Sequence, residues 1–335
     1  MTGRGDGTGP IGGAIACAGN WIVDIVHDID AWPAKSDLVH IRAERTGVGG
    51  GAANVALDLA AFDAGLTLFG VGLLGRDRHA DVVRAACARA GVDTRWLADT
   101  DAAPTAHTHV MSVPGDSRTF FYNPGAGDLL DEGHIPVEAI AAAGARILYL
   151  GYPNLLAAMD RLDAGGATPA ARVLARARAA GMTTCVDLVS ADTPRFAAVV
   201  GACLPHTDVL FLNEVEAARA TGLAKAGPAD RGGFSACAAA LIAGGAGAVV
   251  LHSEALSLWQ ARDAAPVWGS PEPVDPARIA SPVGAGDAFC AGAIHALRQG
   301  WPPDRALHLA HRAAAAALTG LTATDGIPPL RVLLG

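Results

Sequence analysis

The chain has 335 residues, 51% hydrophobic and 17% charged, which suits one large α/β domain with an accessory layer and excludes global disorder. Its formal net charge is −8, which argues against a nucleic-acid or anionic-membrane surface, since either needs a basic face. With only two lysines, Lys35 and Lys225, an anionic ligand must be held by local devices: backbone N–H groups, a metal ion and a few arginines.

Residues 1–13 are Gly-rich, lack the basic start and apolar run of a signal peptide, and read as a flexible tail. No apolar run reaches about 18 residues free of charges or turn residues, so no membrane span is predicted. The six cysteines are scattered without a Cys-x-x-Cys pair, and buried free thiols in a reducing compartment are the expectation. A cytoplasmic protein follows, with neither nucleic acid nor membrane as a partner.

Ala14–Ala18 and Trp21–Val26 read as a first strand and its continuation, interrupted by Asn20 and Asp24. Residues 27–46 are mixed polar, with alternations such as Leu38-Val39-His40-Ile41. Gly47-Val48-Gly49-Gly50-Gly51 is a glycine loop feeding an Ala/Leu helix; glycine tolerates positive φ and close backbone approach. Asn54, in the first turn of that helix, offers both a donor and an acceptor, which suits a sugar diol. Gly70-Val71-Gly72-Leu73-Leu74-Gly75 fits the G-x-G-x-x-G dinucleotide fingerprint of a dehydrogenase, after a short strand Leu66–Phe69. Against that, Arg76-Asp77-Arg78 intervenes before the helix at 79–90, and no clear strand ending in an acid follows. Thr105–Val113 and Arg118–Tyr122 alternate as a hairpin around the turn Pro114-Gly115-Asp116-Ser117.

From Arg146 onward strands alternate with helices: strands at Ile147–Leu150, Thr183–Leu188, Val209–Leu212 and Ala248–Leu251, helices at Ala170–Ala180 and Ala236–Ala243. The alternation predicts an α/β fold with a doubly wound, mostly parallel central sheet in a Rossmann-like three-layer arrangement. Ligands of such sheets bind beyond the carboxyl ends of the strands, where Asp24, Asp187, Asn213 and Glu216 fall.

Ser281-Pro282-Val283-Gly284-Ala285-Gly286-Asp287 opens a second Ala-rich helix. Its first N–H groups lack intrahelical partners and face the positive end of the macrodipole, a ready anion hole. Asp287 is either the N-cap of a glycine-softened turn or a carboxylate placed to take a hydroxyl proton while the N–H groups hold a transferred phosphoryl group. At a helix N-terminus it is expected to stay ionised, with a pKa near 4.

Together the stretches Gly47–Ala60 and Ser281–Phe289 resemble the two signatures of the ribokinase-like (PfkB) carbohydrate kinase family, and the resemblance runs in order from about Ile15 to Ile327. It implies a ribokinase-like kinase domain over 14–335, with a small β-sheet lid drawn from about 27–46 and 105–123. The implied activity is ATP-dependent phosphorylation of a hydroxyl on a sugar or sugar-like molecule. Asp287 would be the general base beside an anion hole at Gly284, Ala285 and Gly286, while Asp24, Gly49, Gly50 and Asn54 would hold the acceptor. Asn213-x-x-Glu216 resembles the motif that organises Mg2+ through its water shell, with a plain N-cap and first-turn Glu as the alternative. Ser253 and His311 would border the nucleotide, although His308 and His311 also read as solvent-facing. A monovalent cation such as K+ and a homodimer joined through the lid are further implications.

The chain departs from the family pattern at three places. Gly127 replaces the Asn of a Gly-Ala-Asn after the lid, and Ser281 and Pro282 stand where Asp-Thr is usual. His252-Ser253-Glu254-Ala255-Leu256-Ser257 replaces a Thr-x-Gly loop that lines the nucleotide phosphates. This last change motivates a rival reading, a non-catalytic sugar or nucleoside sensor; a nucleoside kinase is the enzymatic alternative. Ribose, fructose, ketodeoxy sugars and nucleosides are all family substrates, and the sequence does not choose among them.

Overall fold

A computed structural model describes residues 9–63, 65–113 and 118–335. The first part of the chain forms β1 (Ala14–Gly19), β2 (Ile22–Ile29), β3 (Ile41–Gly49), α1 (Gly51–Ala61), β4 (Leu68–Gly75), α2 (Arg78–Ala90), β5 (Asp93–Thr100), β6 (His107–Ser112) and β7 (Thr119–Asn123). The rest forms α3 (Val137–Ala142), β8 (Ala145–Gly151), α4 (Pro169–Ala179), β9 (Thr183–Asp187), α5 (Phe196–Cys203), β10 (Val209–Asn213), α6 (Glu214–Thr221), α7 (Arg231–Ala243), β11 (Ala248–His252), β12 (Ser257–Ala261), β13 (Val267–Gly269), α8 (Ala285–Arg298) and α9 (Pro303–Ala317).

The large sheet has the order β13-β12-β11-β10-β9-β8-β1-β4-β5 and is parallel from β11 to β5, with β12 and β13 antiparallel at one edge. Its central strands, from β11 to β4, are buried on both faces, as interior parallel strands must be, while the edge strands β5 and β13 are partly exposed. Along β1, Ala16 and Ala18 pack into the layer containing α4 and α7, while Ile15 and Cys17 pack into the layer of α1, α2, α8 and α9. The chain winds away from β1 in both directions, so strand ends near β1 and β8 face a crevice.

The second sheet is small, with the order β3-β2-β6-β7. It corrects the reading of Trp21–Val26 as a continuation of the first strand. Gly19 has a φ of 132° and lies against the backbone of Gly151, so the chain turns out of the large sheet there and β2 begins a new one. The lid therefore takes 22–29 and 41–49 rather than 27–46, and of Leu38–Ile41 only Ile41 is in a strand. The hairpin of β6 and β7 is antiparallel as expected; its turn, Pro114–Ser117, lies outside the described residues. Pairing of Asp24 with Thr108, and of Thr108 with Tyr122, puts these three side chains on one face of the lid.

The dinucleotide reading fails on geometry. Gly70–Gly75 lies inside β4, wholly buried between β1 and β5, not in a strand-to-helix turn. Gly70 and Gly72 are small because the Trp21 ring rests on them: a Cβ would come within 2.9 and 2.5 Å of that ring. The Trp21 indole N–H donates to the Val71 carbonyl at 3.0 Å. Of the N-terminal stretch, Met1–Thr8 lies outside the described residues, whereas the N–H groups of Ile11 and Gly12 donate to the Arg298 carbonyl at the end of α8. All six cysteines are buried and unpaired. No helix among the described residues is long and apolar enough to cross a membrane.

Candidate active site

The head of α8 is shaped by Gly284, whose φ of 85° and tight approach to the Ala323 carbonyl exclude a side chain. The first helical hydrogen bond runs from Ala288 N to the Gly284 carbonyl at 2.9 Å, which leaves the Gly286 and Asp287 N–H groups without a helical partner. Gly284, not Asp287, is the N-cap residue. Asp287 sits within the first turn, at the third helical position.

The Asp287 carboxylate is buried, 5% exposed, and takes two hydrogen bonds. Asn54 Nδ2 donates to Oδ2 at 2.8 Å and the Tyr152 hydroxyl donates to Oδ1 at 2.7 Å. Both favour the ionised form, yet burial outweighs them and pushes the pKa up to about 6. The expectation of an ordinary value near 4 is thereby corrected: the group is a stronger base than a surface carboxylate, and still ionised at neutral pH.

The glycine loop before α1 delivers Asn54 to this point. Gly50 caps the helix at φ 92° against the Asn20 carbonyl, and Gly51 leaves room for the Tyr152 ring. Gly49 lies directly on the Asp24 carboxylate, closer than a side chain would permit. Asp24 projects from the inner face of the lid; burial raises its pKa to about 6, opposed by the Thr108 hydroxyl and the charge of Arg118. Contacts thus run from Asp24 to Gly49, and from Asn54 in the helix that Gly50 caps to Asp287, while Asp24 and Arg118 line a small cleft under the second sheet. Arg118 crosses this cleft, Nη1 donating to Ser281 Oγ at 2.8 Å, and so ties the lid to the loop preceding α8.

A cavity of ≈ 460 Å³ opens beside Asp287, lined by Tyr152, Asp187, Asn213, Glu216, His252 and Gly286 among others. Asn213 and Glu216 form a capping box: Asn213 Oδ1 accepts from the N–H groups of Val215 and Glu216, and Glu216 Oε2 accepts from Asn213 N at 2.8 Å. Glu216 Oε1 also accepts from Ser190 Oγ and Asn213 Nδ2, both at 2.8 Å. The helix-start alternative is therefore realised, with both side chains still in the cavity wall. Asp187, at the end of β9, is held well above its usual range by burial and by Asp287 and Glu216. Three crowded carboxylates fit a hard divalent cation such as Mg2+, which takes oxygen ligands and relieves their repulsion. Among the described residues no three acidic, His or Cys side chains converge as a ready cage, so the fit is to a hydrated ion.

A larger cavity of ≈ 710 Å³ adjoins, with Phe289, Ala314, Leu318 and Pro271–Val274 in its wall. His311 belongs to this wall and is buried, its Nε2 2.8 Å from Ser257 Oγ and its pKa pushed down to about 4 by burial, so the solvent-facing reading holds for His308 alone. Ser253 also lines the cavity, but its hydroxyl donates to the Pro228 carbonyl at 2.6 Å and accepts from Leu256 N, closing the turn at 253–256. Its side chain serves the fold. Tyr152 and Arg118 escaped the sequence reading. Tyr152 lies 135 positions from Asp287, and only its place just beyond a strand end marks it.

The sequence profile of the pfkB family carbohydrate kinases matches residues 14–329. The chain belongs to that family. It is accordingly a PfkB phosphotransferase with an alcohol group as acceptor. Solved structures share the fold. Arabidopsis thaliana ribokinase, complexed with ribose and ATP, matches with a TM-score of 0.78 at 21% identity over 97% of this chain and 98% of its own. A PfkB protein from Polaromonas sp. JS666 gives 0.74 at 22% identity, over 97% and 100%. The nucleoside kinase of Methanocaldococcus jannaschii gives 0.71 at 15% identity, over 97% and 98%. At these identities the likeness speaks for the fold of this PfkB kinase, a large mostly parallel sheet with a small separate one.

Proposed function

We propose that this PfkB kinase transfers the γ-phosphoryl group of ATP to a hydroxyl of a small sugar or sugar-like molecule, with Asp287 as general base. One observation carries the reading: the Asp287 carboxylate, held by Asn54 and Tyr152, shares the first turn of α8 with the unpaired N–H groups of Gly286 and Asp287. In the step, the acceptor O–H proton passes to Asp287 as its oxygen bonds to the γ-phosphorus. The bond from that phosphorus to the β-phosphate oxygen breaks, and ADP leaves. The N–H groups hold the charge on the transferred oxygens. Asp24, Gly49, Gly50 and Asn54 orient the acceptor, and the lid, latched by Arg118 on Ser281, keeps water from competing. Asp187, with Asn213 and Glu216 acting through water, would hold Mg2+, which neutralises phosphate charge when bound. The ribose and ATP bound to the Arabidopsis ribokinase support the assignment of the acceptor and donor classes.

A coupled ADP-release assay with ATP–Mg2+ and a panel of pentoses, hexoses, ketodeoxy sugars and nucleosides tests this. Acceptor-dependent ADP release is the expected result; none with any acceptor, despite ATP binding, would sink the reading. We further propose a homodimer through the lid, supported by its open edge strands β3 and β7 and by half-exposed Trp32, Ile41 and Phe121. A monomeric mass by light scattering at micromolar concentration would remove it.

A further inference from the structure

The back of the small sheet, opposite the face that bears Asp24, carries a cluster of histidines that the phosphotransfer step leaves unused. Val23 pairs with His107 and Ile25 with His109, so His27, His107 and His109 share that face. The face rests on α2, where Ile25 packs into one core with Ala80 and Val83. At the head of α2 stands His79, its ring against that of His107 with centroids 4.8 Å apart. His107 meets His109 edge-on at 5.8 Å, and His107 Nδ1 donates to the Thr105 carbonyl at 3.0 Å. His27, only 6% exposed, places Nε2 3.0 Å from His109 Nδ1 and Nδ1 3.3 Å from Glu44 Oε2. One chain of four rings thus runs from β2 across β6 to α2, from the small sheet into a layer of the large one.

Such a chain tolerates few protons. The contact between His27 and His109 needs a proton on one nitrogen and a lone pair on the other. A further proton on this contact sets two N–H groups against each other, and more protons put like charges on touching rings. The charged groups facing the cluster are Glu44 on β3 and Asp77 and Arg78 at the head of α2. Two acids do not neutralise four imidazolium ions and an arginine. Burial, and then the neighbouring rings, push the pKa of His79 and of His109 below the ordinary 6.5. Separated rings therefore take up protons that assembled rings refuse, so the contact is whole above about 6.5 and weakens as pH falls below it. We propose that the four histidines form a proton-released clasp: neutral, they seat the small sheet on α2, and charged, they let it go. Because β2 carries Asp24 on its other face, release also shifts that carboxylate.

Single-molecule energy transfer on the full chain tests this, with dyes on two introduced surface cysteines, Ile41→Cys on β3 and Ala88→Cys on α2; the six native cysteines are buried. EDTA keeps metal ions off the rings, and neither acceptor nor nucleotide is added, so the result does not depend on the kinase reading. Each proton bound one pKa unit more tightly by the released form favours that form about tenfold. A longer-distance population should therefore grow about tenfold or more between pH 7.5 and pH 5.5. His79→Phe combined with His109→Gln keeps the ring contact and the hydrogen bond but removes two of the four charges, and most of that growth should vanish. If this variant does not fold, His27→Gln combined with His107→Gln removes the other two charges and gives the same comparison. No growth in wild type overturns the proposal. Growth undiminished in the variant also overturns it, since some other group, such as Asp24, would then release the sheet.

Discussion

Asp287→Asn separates the catalytic role of the carboxylate from the cost of burying it. In wild type, burial raises the pKa from the ordinary 3.8 to about 6. At about 1.4 kcal/mol per unit, ionising this group inside the fold costs up to ~3 kcal/mol relative to the unfolded chain. The sign follows from the direction of the shift: the folded state binds the proton more tightly, so stability is fullest below the unfolded value and falls as pH rises toward 6. Asparagine is neutral at every pH. Its carbonyl can accept from Asn54 while its amide donates to the Tyr152 oxygen, so the packing survives. The variant should therefore melt a few degrees higher than wild type at pH 8, with roughly half that advantage at pH 5. Turnover should fall by about 10²–10⁴, with the acceptor KM little changed. The assays are coupled ADP release at saturating acceptor and thermal melts at the two pH values. Turnover within tenfold of wild type would refute the base assignment. A variant less stable than wild type at pH 8 would refute the burial account even if activity were lost.

Tyr152→Phe removes a donor that favours the ionised carboxylate, so the acid limb of the pH–rate profile, near 6 in wild type, should move upward; an unmoved limb would show that this hydroxyl does not tune the base. Arg118→Ala breaks the bond to Ser281 and removes the charge that pulls down the Asp24 pKa. The acceptor KM should rise by about 5–30-fold, more than kcat falls, with poorer acceptor binding near pH 6. A loss confined to kcat would contradict this. Asp58, fully buried in α1 with neither carboxylate oxygen partnered, has its pKa raised well above 3.8 by burial and by Asp287. By the same sign, the contribution of this carboxyl to stability falls as pH rises above about 4, and Asp58→Asn should remove it. Melting temperatures that run parallel from pH 5 to 8 would count against it.

The glycine stretches around Asn54 and Asp287 were legible because their chemistry is local: a helix start, small residues and one polar group. The strands after Arg146 were legible for a similar reason, since strands buried on both faces write themselves as short apolar runs. What was lost depended on single dihedrals or on distant contacts. Whether Trp21–Val26 continues the first strand or opens a new sheet hangs on the backbone of Gly19. Gly70 and Gly72 imitate a phosphate loop because a tryptophan 49 and 51 positions away needs the space. The raised basicity of Asp287 comes from its burial, which outweighs the opposing hydrogen bonds from Asn54 and Tyr152, and neither the burial nor these partners is written near position 287. His311 lies on a helix whose periodicity shows an apolar face but not that Ser257 awaits it there.

Trp21 has a mechanical consequence. It stands where the chain leaves one sheet for the other, its ring wedged on β4 and its indole anchored to a backbone carbonyl. A lever fastened at its fulcrum cannot slide; it can only flex along its length. Displacement of the small sheet during a catalytic cycle should therefore grow with distance from residue 21 and be greatest toward the far end of the β2–β3 ribbon. An indole at the fulcrum stays nearly still while a probe at that far end travels, and the ratio of the two displacements measures the stiffness of the ribbon itself.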